Sequence, residues 1–168
     1  MSSRFGDELV EGLFRSRYSE MVGLAVLITG SRDVAEDAVQ DAFAGVFRKA
    51  AEQPFDDPAA AGGYLVRSVV NACRSHLRRT KVARAYVPEQ LGYHASAEAE
   101  AAGRAEVRRV QLAVAQLPER QRVALACSSY LGISREEIAQ LMGISVNSVK
   151  THLRRATQTL ASLLEEDS

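Results

Sequence analysis

Residues 145–155, SVNSVKTHLRR, bring together side chains whose chemistry is readily named. On a helix, Lys150, Thr151 and Arg154 point outward on successive turns, where such donors reach the edges of DNA bases. Ser145, His152 and Arg155 are placed to meet phosphate oxygens, which position a duplex without reading it, and Asn147 shares the outer face. No acid occurs between Met142 and Ala161. A second basic set is Arg67, Asn71, Arg74 and Arg78. At helical pitch these four form a ridge roughly 110° from the apolar stripe of Val66, Val69, Val70, Cys73 and Leu77. Beside the ridge lies AEQPFDDPAAAGG, a loop rich in Pro and Gly, with Phe55 inside it and Tyr64 just after it. Arginine neutralises phosphate, aromatic rings stack on unpaired bases, and a loop can receive an extruded base. The same two rings equally suit packing on a core, and composition leaves both readings open. A third set is acidic: Glu36, Asp37, Gln40 and Asp41 share one side of a helix.

The elements that must carry these groups are helices throughout. Leu9, Leu13, Tyr18, Met21, Val22, Ala25 and Ile28 support one or two helices ending at Gly30. Asp33, with Glu36 three residues on, fits a capping box opening the next helix, whose buried stripe is Val39, Ala42, Phe43 and Val46. The prolines at 54 and 58 argue against helix through the loop, and a further helix is expected from about Tyr64 to Arg79. Residues 86–105 have no apolar period and read as a linker or weakly helical tether. A helix then starts near Glu106 on Val107, Val110, Val114 and Leu117. Pro118 suits the first position of the next helix, where Val123, Ala126, Cys127 and Tyr130 face inward. Ser134 and Glu137 form a capping box for a short helix with Ile138 and Leu141 buried. Gly143 suits a left-handed stop, and Ser145 caps a last helix packed through Val149, Leu153, Ala156 and Leu160. This is a helix-turn-helix with a basic second helix, although a plain helical hairpin would share the pattern. The fold class is all-α: two small helical domains joined by a flexible linker, the second holding the helix-turn-helix.

The net charge of zero conceals a segregation. Residues 1–57 hold 6 Lys/Arg against 11 Asp/Glu, a net −5, whereas 58–85 hold 6 cations and no acid. An acidic block beside a purely basic one implies two different partners on one molecule. Enzymatic chemistry is not indicated. His76, His94 and His152 are scattered, no Gly-rich phosphate loop is present, and no paired carboxylates sit on an apolar wall. Cys73 and Cys127 stand alone within apolar patterns and read as reduced core thiols, so neither a metal nor a cofactor is expected. No apolar run is long enough for a membrane span, and MSSRFGDELVEG has acids where a signal peptide would place its apolar core. A cytoplasmic chain without membrane insertion is therefore expected.

Two longer segments carry a family resemblance. The front one is TGSRDVAEDAVQDAFAGVFRKA followed by GGYLVRSVVNACRSHLRR. The back one is AVAQLPERQRVALACSSYLGISREEIAQLMGISVNSVKTHLRRA. In this order and spacing the chain resembles a bacterial RNA polymerase sigma factor of the extracytoplasmic-function (ECF) type, the minimal sigma-70 kind with only regions 2 and 4. The resemblance implies region 2 over residues 1–85, a linker over 86–105 and region 4 over 106–168. It implies core RNA polymerase and promoter DNA as partners, the DNA duplex at the −35 element and single-stranded at the −10 element, with a monomer when free. An anti-sigma factor is left open. By position, Glu36, Asp37, Gln40 and Asp41 match the polymerase-binding surface. Phe55, Tyr64, Arg67, Asn71, Arg74 and Arg78 match the −10 face, with the loop from Gln53 to Gly63 receiving a flipped base. Ser145, Asn147, Lys150, Thr151, His152, Arg154 and Arg155 match the −35 reader. Three positions depart from the family: Tyr64 replaces a common Trp, Ser75 a common acid, and Arg74 a common apolar residue. A helix-turn-helix regulator that does not bind polymerase, its front half a dimerisation or sensory module, is the competing expectation. It predicts palindromic half-sites rather than association with core polymerase.

Overall fold

The computed structural model describes residues 2–83 and 98–166, and every regular element among them is helical. The expected linker lies outside the described residues up to position 97, as do Arg84, His94 and the last two residues of the acidic tail. The chain divides into two units, Met1–Tyr86 and Val87–Ser168.

The first unit packs three helices: α1 (Ser2–Thr29), α2 (Arg32–Glu52) and α3 (Pro58–Ala83). The expected apolar periods meet in its core, where Met21, Leu24, Ile28, Val39, Val46, Leu65, Val69 and Val70 are fully buried. Helix α1 is a single helix, stopped by Gly30 at φ +72°. The cap of α2 is Ser31, whose hydroxyl accepts from the Val34 amide at 3.4 Å. This corrects the expected Asp33 box. Asp33 lies in the first turn, where its charge favours the positive helix end, and Glu36 pairs with Arg32 instead. The Pro/Gly-rich segment is also shorter as a loop than expected. Helix α2 runs on to Glu52, and α3 opens at Pro58, well before Tyr64. Asp57 accepts from the Ala60 amide at 2.7 Å and Pro58 takes the first helical position, where its missing N–H costs nothing. Only residues 53–57 connect the two helices.

The second unit comprises α4 (Glu98–Ala115), α5 (Glu119–Leu125), a π-helical turn (Ala126–Tyr130), α6 (Arg135–Met142) and α7 (Val146–Glu166). Helix α4 starts at Glu98 rather than near Glu106, so the later part of the expected linker is helical. Its buried residues are Ala113, Val114 and Leu117, while Val107, expected inside, is 53% exposed. Pro118 caps α5 rather than opening it. Arg122 is buried and donates to the Ala115 carbonyl at 2.9 Å, tying α5 to the end of α4. Arg109 donates to the Leu164 carbonyl near the end of α7. The π turn overturns one further expectation. The Leu131 amide reaches back five residues to Ala126, so the stripe of Val123, Ala126 and Cys127 loses phase, leaving Tyr130 exposed. Burial pushes the Cys127 thiol up to about 12, which keeps it protonated and unreactive.

Candidate nucleic-acid interface

The helix-turn-helix is assembled by local chemistry. The Ser134 hydroxyl accepts from the Glu137 amide, and the Glu137 carboxylate accepts from the Ser134 amide at 2.9 Å. These bonds favour the ionised acid and hold its pKa below the ordinary value. Ile138, Ala139 and Met142 form the buried side of α6, with Leu141 only half-buried. Gly143 then turns the chain at φ +65°, and the Ile144 amide closes onto the Ala139 carbonyl at 3.1 Å. Ser145 accepts from the Ser148 amide at 3.1 Å and starts α7.

Val149 and Ala156 are fully buried and anchor α7 against the unit. That anchoring turns Asn147, Lys150, Arg154 and Arg155 to the surface. Among the described residues, none of these cations is paired with an acid. Thr151 is half-buried and donates to the Asn147 carbonyl at 3.0 Å, leaving its oxygen lone pairs to accept. His152 is half-buried as well. Burial, then Arg120 and Arg155, hold its pKa below the ordinary value, and its Nδ1 is shielded without a partner. It therefore meets a ligand as a neutral ring. Arg120, from α5, is a contributor that the sequence reading missed. It is exposed, and its field reaches His152, so it adds a cation to this face from outside the recognition helix. Its signal was present in the LPERQR segment.

On α3, Arg67, Asn71 and Arg78 are exposed along the predicted ridge, and Arg74 is half-buried at its inner edge. The stripe from Val66 to Leu77 is buried throughout. Phe55 and Tyr64 are both half-buried and face each other, with ring centroids 5.5 Å apart at 53°. The loop aromatic and the helix aromatic thus form one pair beside the ridge. On α2, Asp37, Gln40 and Asp41 are exposed, while Glu36 is half-buried and bound to Arg32 at 2.9 Å. Asp41 also accepts from His76 of α3 at 3.0 Å. At the α1 border of the same face, Phe14, 40% exposed, packs edge-on against Phe43.

Comparisons with known proteins agree with this arrangement. Residues 13–83 match the family model for sigma-70 region 2, and residues 108–160 match that for sigma-70 region 4. The chain is 34% identical over 152 residues to the ECF RNA polymerase sigma factor SigM of Mycobacterium tuberculosis, covering 90% of this chain and 75% of the relative. It is 28% identical over 177 residues to the RNA polymerase sigma-H factor of Pseudomonas aeruginosa, covering 95% and 89%. The fold resembles the sigma factor RpoE of Bartonella quintana, solved with the anti-sigma factor NepR. The TM-score is 0.72 at 20% identity, over 94% of this chain and 98% of that one. It also resembles CnrH, solved with the cytosolic domain of CnrY, with a TM-score of 0.68 at 22% identity over 99% of both chains. The chain thus belongs to the ECF sigma factors of the sigma-70 family, non-enzymatic subunits built from regions 2 and 4 that bind core RNA polymerase and promoter DNA to initiate transcription.

Proposed function

We propose that this sigma factor divides its work among the three surfaces described. The acidic face of α2, through Asp37, Gln40 and Asp41 with Glu36 at its border, docks on core polymerase. The α3 ridge of Arg67, Asn71, Arg74 and Arg78 follows the opened −10 strand, and the Phe55–Tyr64 pair beside it takes an unpaired base. Helix α7 enters the major groove at −35. There Lys150, Thr151 and Arg154 read base edges, while Ser145, Asn147, His152 and Arg155 hold the backbone. Region 2 occupies residues 1–85 and region 4 residues 106–168 in this reading, and the protein acts in the cytoplasm as a monomer when free.

The observation that carries the proposal is the separation of charge. Cations that face solvent without acid partners lie on α3 and α7, and the exposed acids of α2 lie on another face. Exposed cations left unneutralised in the free protein remain available to release counterions from DNA. The structures of CnrH with the cytosolic domain of CnrY and of RpoE with NepR support an anti-sigma partner for this chain too. No described helix is long and apolar enough to cross a membrane. The test is charge reversal of Asp37 and Asp41 to lysine. Polymerase binding and run-off transcription should be lost while helicity is kept, and undiminished binding would remove α2 as the docking face.

A further inference from the structure

One contact links two surfaces that the proposed function treats separately. His76 lies on α3 between Arg74 and Arg78 of the ridge, yet its ring turns to α2 and meets Asp41 with Nε2 and Oδ2 3.0 Å apart. The imidazole is 18% exposed and the carboxylate 65% exposed. An ionised carboxylate has no proton to give, so Nε2 carries the hydrogen and donates it.

The three acids of the α2 face are held differently. Glu36 is bound by Arg32, whose permanent charge offsets the carboxylate it holds. Asp37 is exposed and has no partner among the described residues. Asp41 alone is gripped across the helix pair, through one N–H that needs no full positive charge, with its other oxygen open to solvent. An imidazole can thus fix a carboxylate without cancelling its charge. Rotamer freedom removed before binding is not lost again on binding, so a pre-set acid meets a cationic partner at lower cost.

We propose that His76 is a positioning residue for polymerase docking: it donates from α3 to Asp41 and pre-sets that carboxylate for core polymerase. The proposal rests on the reading of Asp41 as a docking residue. Because its donor lies on the DNA-facing helix, the contact also fixes the register of docking face against ridge.

The test uses the full chain and core polymerase, with affinity measured for His76→Phe, His76→Gln, Asp41→Ala and the double variant His76→Phe/Asp41→Ala. Phenylalanine keeps the ring volume without a donor, and glutamine keeps an N–H donor. His76→Phe should weaken binding about threefold to tenfold, and His76→Gln should return it to within about twofold of the parent. In the Asp41→Ala background, His76→Phe should add no further loss. Unfolding midpoints of the free variants are measured alongside. Wild-type affinity for His76→Phe together with weak binding by Asp41→Ala overturns the positioning role alone, including where only the midpoint falls and the pair is a helix staple. An equal loss with and without Asp41 also overturns it. Wild-type affinity for Asp41→Ala overturns the docking reading itself.

Discussion

Arg154 and Arg155 are neighbours on α7 with different assigned tasks, and this makes them a sharp test. Both are exposed and pair with no acid among the described residues, so truncating either to alanine removes little from the folded state. Any loss should therefore appear in DNA binding. A phosphate contact adds about 0.9 to the salt slope of the binding constant. Between about 50 and 200 mM salt, one contact thus changes affinity about 3.5-fold. Arg155→Ala should flatten the slope by that amount and weaken all −35 sequences alike. A base contact carries about 1–3 kcal/mol of discrimination, roughly 5- to 150-fold between the right and wrong base pair. Arg154→Ala should erase that ratio at one −35 position and leave the others intact. The assay is holoenzyme binding to promoter fragments varied singly through the −35 element, at several salt concentrations, with unfolding midpoints as the control. If Arg154→Ala shifts every sequence equally and Arg155→Ala erases discrimination, the two roles are reversed. If neither variant changes anything, α7 is not the reading helix.

Three further outcomes are expected. Gly143→Ala should cost the helix-turn-helix about 1–2 kcal/mol by chemical denaturation, because φ is +65° and an added Cβ meets nothing within 4 Å. The cost is backbone strain alone, and Gly143→Asn should cost less. The depressed pKa of His152 means that the unfolded chain takes up its proton at higher pH than the folded one. The stability it confers is complete above the ordinary 6.5 and is lost as pH falls through that value. His152→Gln should flatten this part of the unfolding profile. Replacing Asn71 and Arg74 with alanine should permit closed complexes yet impair strand opening, read as weaker permanganate reactivity of −10 thymines.

The parts of this fold that the sequence displays are those set by local chemistry. The Ser134–Glu137 box, the Gly143 stop and the Ser145 cap each depend on residues within four positions of one another, and all three are present. The Val66–Leu77 stripe and its flanking ridge follow directly from helical pitch. Departures arise where several local signals compete or where the period itself changes. Ser31 outcompetes Asp33 as a cap, since the preceding Gly30 turn places the serine in extended backbone. Pro58 looks like a breaker but opens a helix, because Asp57 before it supplies the cap. Val107 fits an apolar period, but the packed part of α4 lies nearer its end. Asp41 and His76 are 35 positions apart, and no local pattern signals their contact. Arg120 was overlooked because attention stayed on the recognition helix, whereas a neighbouring helix also presents its side chains there.

The π turn at Ala126–Tyr130 gives the second unit an unusual sensitivity to chain length. It places one surplus residue between α5 and the glycine at 132, whose φ of +68° leads into α6. Deleting a single residue from ACSSY would restore regular winding and swing everything beyond it by about 100° about the helix axis. A one-codon loss there would aim an intact DNA-reading helix in the wrong direction, even though every groove-facing side chain remained.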